Sequence, residues 1–197
     1  MWTREIIMGM DMLGIVQAFI TYSMLGWLVE SIYMSICNKK LTNRGFAKGP
    51  FCPIYGFGAV LGYMILNPLA EHKVALYITG AVIATVFEFF VARLMEKTLG
   101  DVWWDYSEKP LNYKGVICAE STIAWGLYAV IIVCYLHDMI MTTVERIPTQ
   151  IGAIVSGVII LYYAVDFIYH VFLALDFNME QYVDKMKETY RAFRAKW

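Results

Sequence analysis

The sequence predicts an all-α integral membrane protein. Three observations carry this: too few charges to cover a water-soluble globule, apolar runs of bilayer-spanning length, and cations gathered on alternate connections. The 197 residues are 59% hydrophobic and 17% charged, with mean hydropathy +0.54, so lipid must be much of the solvent. Spanning about 30 Å of hydrocarbon takes about 20 mostly apolar helical residues. Such runs occupy 12–37, 53–70, 74–96, 116–137 and 151–175. They are too long and too uniformly apolar for barrel strands, which alternate over about 10 residues. Five transmembrane helices are expected.

The first run is too long for a secretory signal and has no small-residue cleavage pattern before Lys39 and Lys40, so it is expected to remain in the protein. Five crossings put 38–52, 97–115 and the tail after 175 on one side. That side carries Lys39, Lys40, Arg44, Lys48, Lys97, Lys109, Lys114, Lys185, Lys187, Arg191, Arg194 and Lys196, against Arg4, Lys73 and Arg146 opposite. Cation-rich connections stay in the cytoplasm, so the amino terminus is expected outside and the carboxyl terminus inside. Four or six crossings would mix the two sets. Cys37, Cys52, Cys118 and Cys134 lack CxxC spacing and read as reduced structural thiols.

The second run begins with Gly49, Pro50, Pro53, Gly56 and Gly58 and closes at Asn67-Pro68. This pattern fits a re-entrant or capping segment, because non-helical backbone at membrane depth survives only against protein or a water-filled cavity. Equally, Gly58-x-x-x-Gly62 fits close helix packing. After residue 175, Met179, Tyr182, Val183, Met186, Tyr190, Phe193 and Trp197 recur at helical spacing among basic residues. They predict a cytoplasmic amphipathic tail over 176–197, beyond one membrane domain over 1–175, suited to an anionic leaflet or a docking partner.

Glu30, Glu88, Glu120 and Asp166 lie within four different apolar runs, all in the half nearer the cytoplasm. At about 2.5–3.5 kcal/mol each, four uncompensated carboxylates would cost on the order of 10 kcal/mol. They must be hydrated, protonated or paired, whether with a basic loop carrying Arg44 and Lys48 or with a cationic ligand. Only Arg93 and His170 offer cations within the helices. Asp166 and His170 have the i, i+4 spacing of a helical pair, beside Tyr162 and Tyr169. The expected arrangement is a substrate or proton pathway through Glu30, Glu88, Glu120, Asp166 and His170, converging on one cavity, with Arg44 reaching Glu120.

The segment 99–115 places Trp103, Trp104, Tyr106 and Tyr113 where aromatic rings anchor at the headgroup level. Asp105, Ser107 and Asn112 add polar groups that anchoring does not need. No phosphate loop, GxSxG, HExxH or dinucleotide fingerprint is present, which argues against ATP hydrolysis and against the hydrolases these motifs mark. No cofactor, metal ion or nucleic acid is expected, and enzymatic turnover stays open.

Asn43-Arg44-Gly45-Phe46-Ala47-Lys48-Gly49-Pro50-Phe51-Cys52-Pro53-Ile54-Tyr55-Gly56-Phe57-Gly58 closely resembles the signature of the bacterial permease family called Putative ABC-transporter type IV (CmpB-like). Trp104-Asp105-Tyr106-Ser107, Lys109-Pro110, Asn112, Gly115, Ile117-Cys118, Glu120-Ser121 and Trp125-Gly126 resemble its second motif. Ala119 departs from the larger apolar residue expected before the glutamate. The resemblance carries Arg44, Gly45, Gly49, Pro50, Cys52, Pro53, Tyr55, Gly56, Asp105, Tyr106 and Glu120 as motif positions. Arg44, Lys48, Gly49, Pro50, Cys52, Pro53 and Tyr55 are expected to form a gating or capping element. The resemblance implies a transport permease of the bacterial inner membrane, and the family name an ATPase partner; five helices enclose little space, so a homo-oligomer is expected. The remaining alternatives are a membrane-embedded enzyme acting on a lipid or isoprenoid head group, and a non-catalytic regulatory protein.

Overall fold

The structure, a computed structural model, describes residues 11–44 and 48–194. Arg4, Gly45, Phe46, Ala47, Lys196 and Trp197, with the side chains of Met179, Tyr182, Tyr190, Phe193 and Arg194, lie outside the described residues. Helix α1 (Met12–Asn38) starts where Asp11 accepts a 2.7 Å hydrogen bond from the Gly14 N–H, and stops at Lys39 in the left-handed region (φ 53°). Helix α2 (Pro53–Leu66) places Pro53 in its first turn, where the missing N–H costs nothing, and ends in a 3₁₀ turn over Asn67–Leu69. Helix α3 (Lys73–Leu99) closes on Gly100. A continuous rod follows, made of α4 (Ala119–Ile131), a π turn (Ile132–Leu136) and α5 (His137–Glu145). Helix α6 (Thr149–Arg194) is the last element of the described residues.

Among the described residues, four stretches are long and apolar enough to cross a membrane: Met12–Asn38, Lys73–Leu99, Ala119–Glu145 and Thr149–Leu175. The second apolar run forms a shorter helix, Pro53–Leu69, with a rise of about 27 Å. Two boundaries differ from the sequence reading. The fourth helix begins at Ala119 because residues 113–117 form a turn closed by the Tyr113–Ile117 bridge. It runs on to Glu145 because nothing breaks a helix before Pro148. The tail is continuous with α6, since no Gly or Pro follows Gly157. At 46 residues the helix is about 69 Å long, more than twice the hydrocarbon thickness.

Helices α1 and α2 approach closely along Phe19, Ser23, Gly26 and Glu30, one face at i, i+4, i+7 and i+11. A Cβ on Gly26 would lie 2.2 Å from the Tyr55 ring, and one on Gly56 2.2 Å from Ser23 Oγ. Close packing therefore falls on Gly26 and Gly56. It does not fall on Gly58-x-x-x-Gly62, where a Gly62 Cβ would meet nothing within 4 Å. Helices α3 and α4 meet at Gly80 against Ala129 and Gly126 against Tyr77. One apolar cluster joins Ala18, Tyr22, Ala59, Val60 and Ile140; another joins Leu66, Leu76 and Val133.

Candidate functional site

At the end of the bundle carrying the basic loops, the close α1–α2 approach brings the Tyr55 hydroxyl to Glu30 Oε2, to which it donates at 2.8 Å. Arg44 Nε donates to Glu30 Oε1 at 3.0 Å, and its Nη1 to the Trp103 carbonyl at 3.2 Å. Both side chains of this ion pair are about one quarter exposed. The expected Arg44–Glu120 contact is thus replaced by Arg44–Glu30, because residues 39–44 fold back along α1 and the Arg44 N–H donates to Ser31 Oγ.

Glu88 sits on the buried α3 face that includes Ala81 and Ala92 and is only 4% exposed. Three uncharged groups donate to it: the Tyr106 hydroxyl (3.1 Å), Ser121 Oγ (3.2 Å) and Trp125 Nε1 (2.9 Å). Arg93 pairs instead with Glu96 in its own helix. The Tyr55 and Trp125 rings lie 6.1 Å apart, so the Glu30 and Glu88 settings adjoin. Trp125 and Ser121 were visible in the second motif, but nothing in their spacing marked them as partners of Glu88.

Asp105, Ser107 and Asn112 shape the loop that delivers Tyr106. Asp105 Oδ1 accepts from the Ser107 N–H (2.8 Å); Asn112 donates to the Ser107 and Lys109 carbonyls and accepts from the Gly115 N–H. The hydrogen bonds from Ser107 hold the Asp105 carboxyl below its ordinary range. Gly115, at φ 69°, leaves room for Ser107, whose Oγ would lie 2.6 Å from an added Cβ. Burial, then the neighbouring Glu88 carboxylate, push the Tyr106 phenol well above its ordinary range, so it serves as a donor.

The other two acids stand apart. Glu120, in the first turn of α4, pairs with Lys109 at 2.9 Å, and its side chain is 58% exposed. Asp166 accepts from the Gly49 N–H at 3.0 Å and pairs with His170 at 3.2 Å. Tyr169 lies edge-on to His170, ring centroids 5.3 Å apart, and Tyr163 adds a further contact, its hydroxyl donating to the Pro50 carbonyl and its ring stacking on Phe51 at 3.8 Å. Gly49 has to be small here, because its Cβ would lie 2.7 Å from Tyr163. Cys52 links the segment to α1 by donating its N–H to the Ser23 carbonyl at 3.1 Å. Burial, then Glu30, push its thiol up to about 12, so it stays protonated. Lys48 is exposed, and its carbonyl accepts from Asn43.

A second buried polar group, which the sequence reading did not single out, lies toward the opposite end. His137 is 2% exposed. The Tyr22 hydroxyl is 3.1 Å from its Nδ1, and the Tyr63 ring stacks on it at 3.5 Å. It directly follows the π turn, a deformation frequent at functional sites. All four cysteines are free thiols. Among the described residues no three His, Cys, Asp or Glu side chains gather as a metal-holding group.

The family model described as "Putative ABC-transporter type IV" matches residues 17–171. No curated protein and no solved structure matches the chain.

Proposed function

The chain belongs to the Putative ABC-transporter type IV family, and from that premise we propose that it is a membrane permease moving a small solute or ion through an acidic, cytoplasm-facing vestibule built on Glu30 and Glu88. The observation that carries this reading is the mismatch of charge between those neighbours. Glu30 has its cation delivered by a loop, while Glu88 is buried with three neutral donors and no ion-pair partner among the described residues. A carboxylate so placed favours exchange, because a proton or cation arriving there relieves a desolvation cost that neutral donors only partly offset.

Arg44, Tyr55 and the segment through Gly49, Pro50, Cys52 and Pro53 act as the cap in this reading. Withdrawing Arg44 leaves Glu30 and Glu88 as adjoining acids without a neighbouring cation, which attracts an incoming one. Asp166 and Tyr163 fasten the cap to α6, and Asp105, Ser107 and Asn112 position Tyr106. Helix α2 serves as the fifth crossing, with the amino terminus outside and the tail in the cytoplasm of a bacterial cell. A homo-oligomer encloses the pathway, and an ATPase subunit is the partner the family name suggests.

Two measurements test this proposal. A cysteine at Glu145 should react with an impermeant thiol reagent in intact cells and one at Glu188 should not; labelling at Glu188 would sink the topology. Full-length protein in liposomes should carry protons or a monovalent cation faster than protein-free vesicles, alone or with proteins that co-purify in native lipid. Fluxes equal to protein-free vesicles in both preparations would reject transport.

A further inference from the structure

Beyond the acids, the same end of the bundle holds an open groove of about 610 Å³ between the last turns of α1 and the returning segment 40–43. Besides the Arg44–Ser31 bond, hydrogen bonds along the groove fix that return. Asn38 donates to Thr42 Oγ1 at 3.3 Å, the Thr42 N–H to Ser35 Oγ at 2.9 Å, and Trp27 Nε1 to Asn43 Oδ1 at 2.7 Å. The polar side chains along the groove are thereby engaged with the loop itself. What they leave is an apolar wall of Trp27, Ile32, Ile36 and Leu41, with Lys40 at its rim and Lys39 adjacent. Ile36 is 72% exposed and Leu41 98% exposed.

We propose that this groove binds one anionic phospholipid, its acyl chain against Trp27, Ile32 and Ile36 and its phosphate between Lys39 and Lys40. The groove lies where the apolar run of α1 gives way to two consecutive lysines, which is the depth at which a lipid changes from chain to headgroup. No ion pair among the described residues engages either lysine. The lining contains no carboxylate, and the nearby Glu30 is already held by Arg44 and Tyr55. An exposed wall of this kind does not suit a free phosphate ion, and a zwitterionic lipid has no net charge to match the lysines. Both requirements are met together by an anionic lipid.

Native mass spectrometry of the full-length protein, released from vesicles of equal phosphatidylglycerol and phosphatidylcholine, tests the assignment. Wild type should retain one phosphatidylglycerol per chain in preference to phosphatidylcholine. Lys39→Gln/Lys40→Gln should reduce that preference about thirtyfold. Ile36→Trp, which fills the groove without altering charge, should also expel the lipid, and both variants should melt as wild type does. Lys185→Gln/Lys187→Gln on the tail should change nothing. Unchanged retention in both groove variants would overturn the site. Loss in the tail variant alone, or displacement of the lipid by excess inorganic phosphate, would do so equally.

Discussion

Glu88 and Glu120 are two glutamates near the same end of the same bundle, yet the protein treats them oppositely. Glu88 faces the α3–α4 seam, 4% exposed, with donors from a loop tyrosine, a serine and a tryptophan. Glu120 opens α4 with its side chain 58% exposed and meets a flexible lysine. The first is held by three neutral donors, one from a loop and two from α4. The second is screened by solvent, and its pair can form and break at little consequence. Being a carboxylate within an apolar run does not therefore define a site; the surroundings do.

The largest effect that sharpens this contrast is expected for Glu88→Ala. It strands three partly buried donors, at about 1–3 kcal/mol for each that finds no new partner. Thermal unfolding in detergent should show a large drop or loss of the folded protein, whereas Glu88→Gln, which keeps shape and an acceptor, should lose much less. Equal losses for the two would mean that packing, not hydrogen bonding, holds the seam.

A middle effect is expected at Arg44. Arg44→Ala leaves Glu30 partly buried without its cation, and Glu30→Gln in the same chain should restore part of the loss, with a coupling of about 0.5–3 kcal/mol. Strict additivity would contradict the contact. The smallest belongs to Lys109→Gln, which should leave the melting temperature within error at neutral pH. The hydrogen bond to Glu120 raises the Lys109 pKa. The contribution is thus fully present below the ordinary lysine value of about 10.4 and is lost only as pH rises through the raised one. Acidification from pH 8 to 6 should leave the Lys109→Gln difference unchanged.

Much of the fold was legible in the sequence, because bilayer thickness and helix rise turn composition directly into element length. The run at 12–37 became Met12–Asn38, and 74–96 became Lys73–Leu99. The boundary at 116 was not legible, because Val116 to Cys118 are apolar yet held in a turn by the Tyr113–Ile117 bridge and by Trp104 donating to the Val116 carbonyl. Within the site, Arg44 and Glu30 were both visible, but their pairing was not. It depends on the chain folding back after Lys39, a left-handed residue with no sequence mark. Asp166 with His170 could be read from spacing, whereas Gly49 as the partner of Asp166 depends on a contact across 117 residues. His137 escaped notice because a single histidine at the end of an apolar run carries no pattern of its own; the π turn and the tyrosines of two other helices make it a buried cluster.

The most direct test sets the two glutamates against each other in one assay. Glu88→Gln and Glu120→Gln, each confirmed folded by its melting curve, are reconstituted at equal density and compared with wild type for proton or monovalent-cation flux. Glu88→Gln should abolish the flux and Glu120→Gln should retain it. Wild-type flux in Glu88→Gln, or its loss in Glu120→Gln alone, would contradict the assignment of the buried carboxylate as the exchange site.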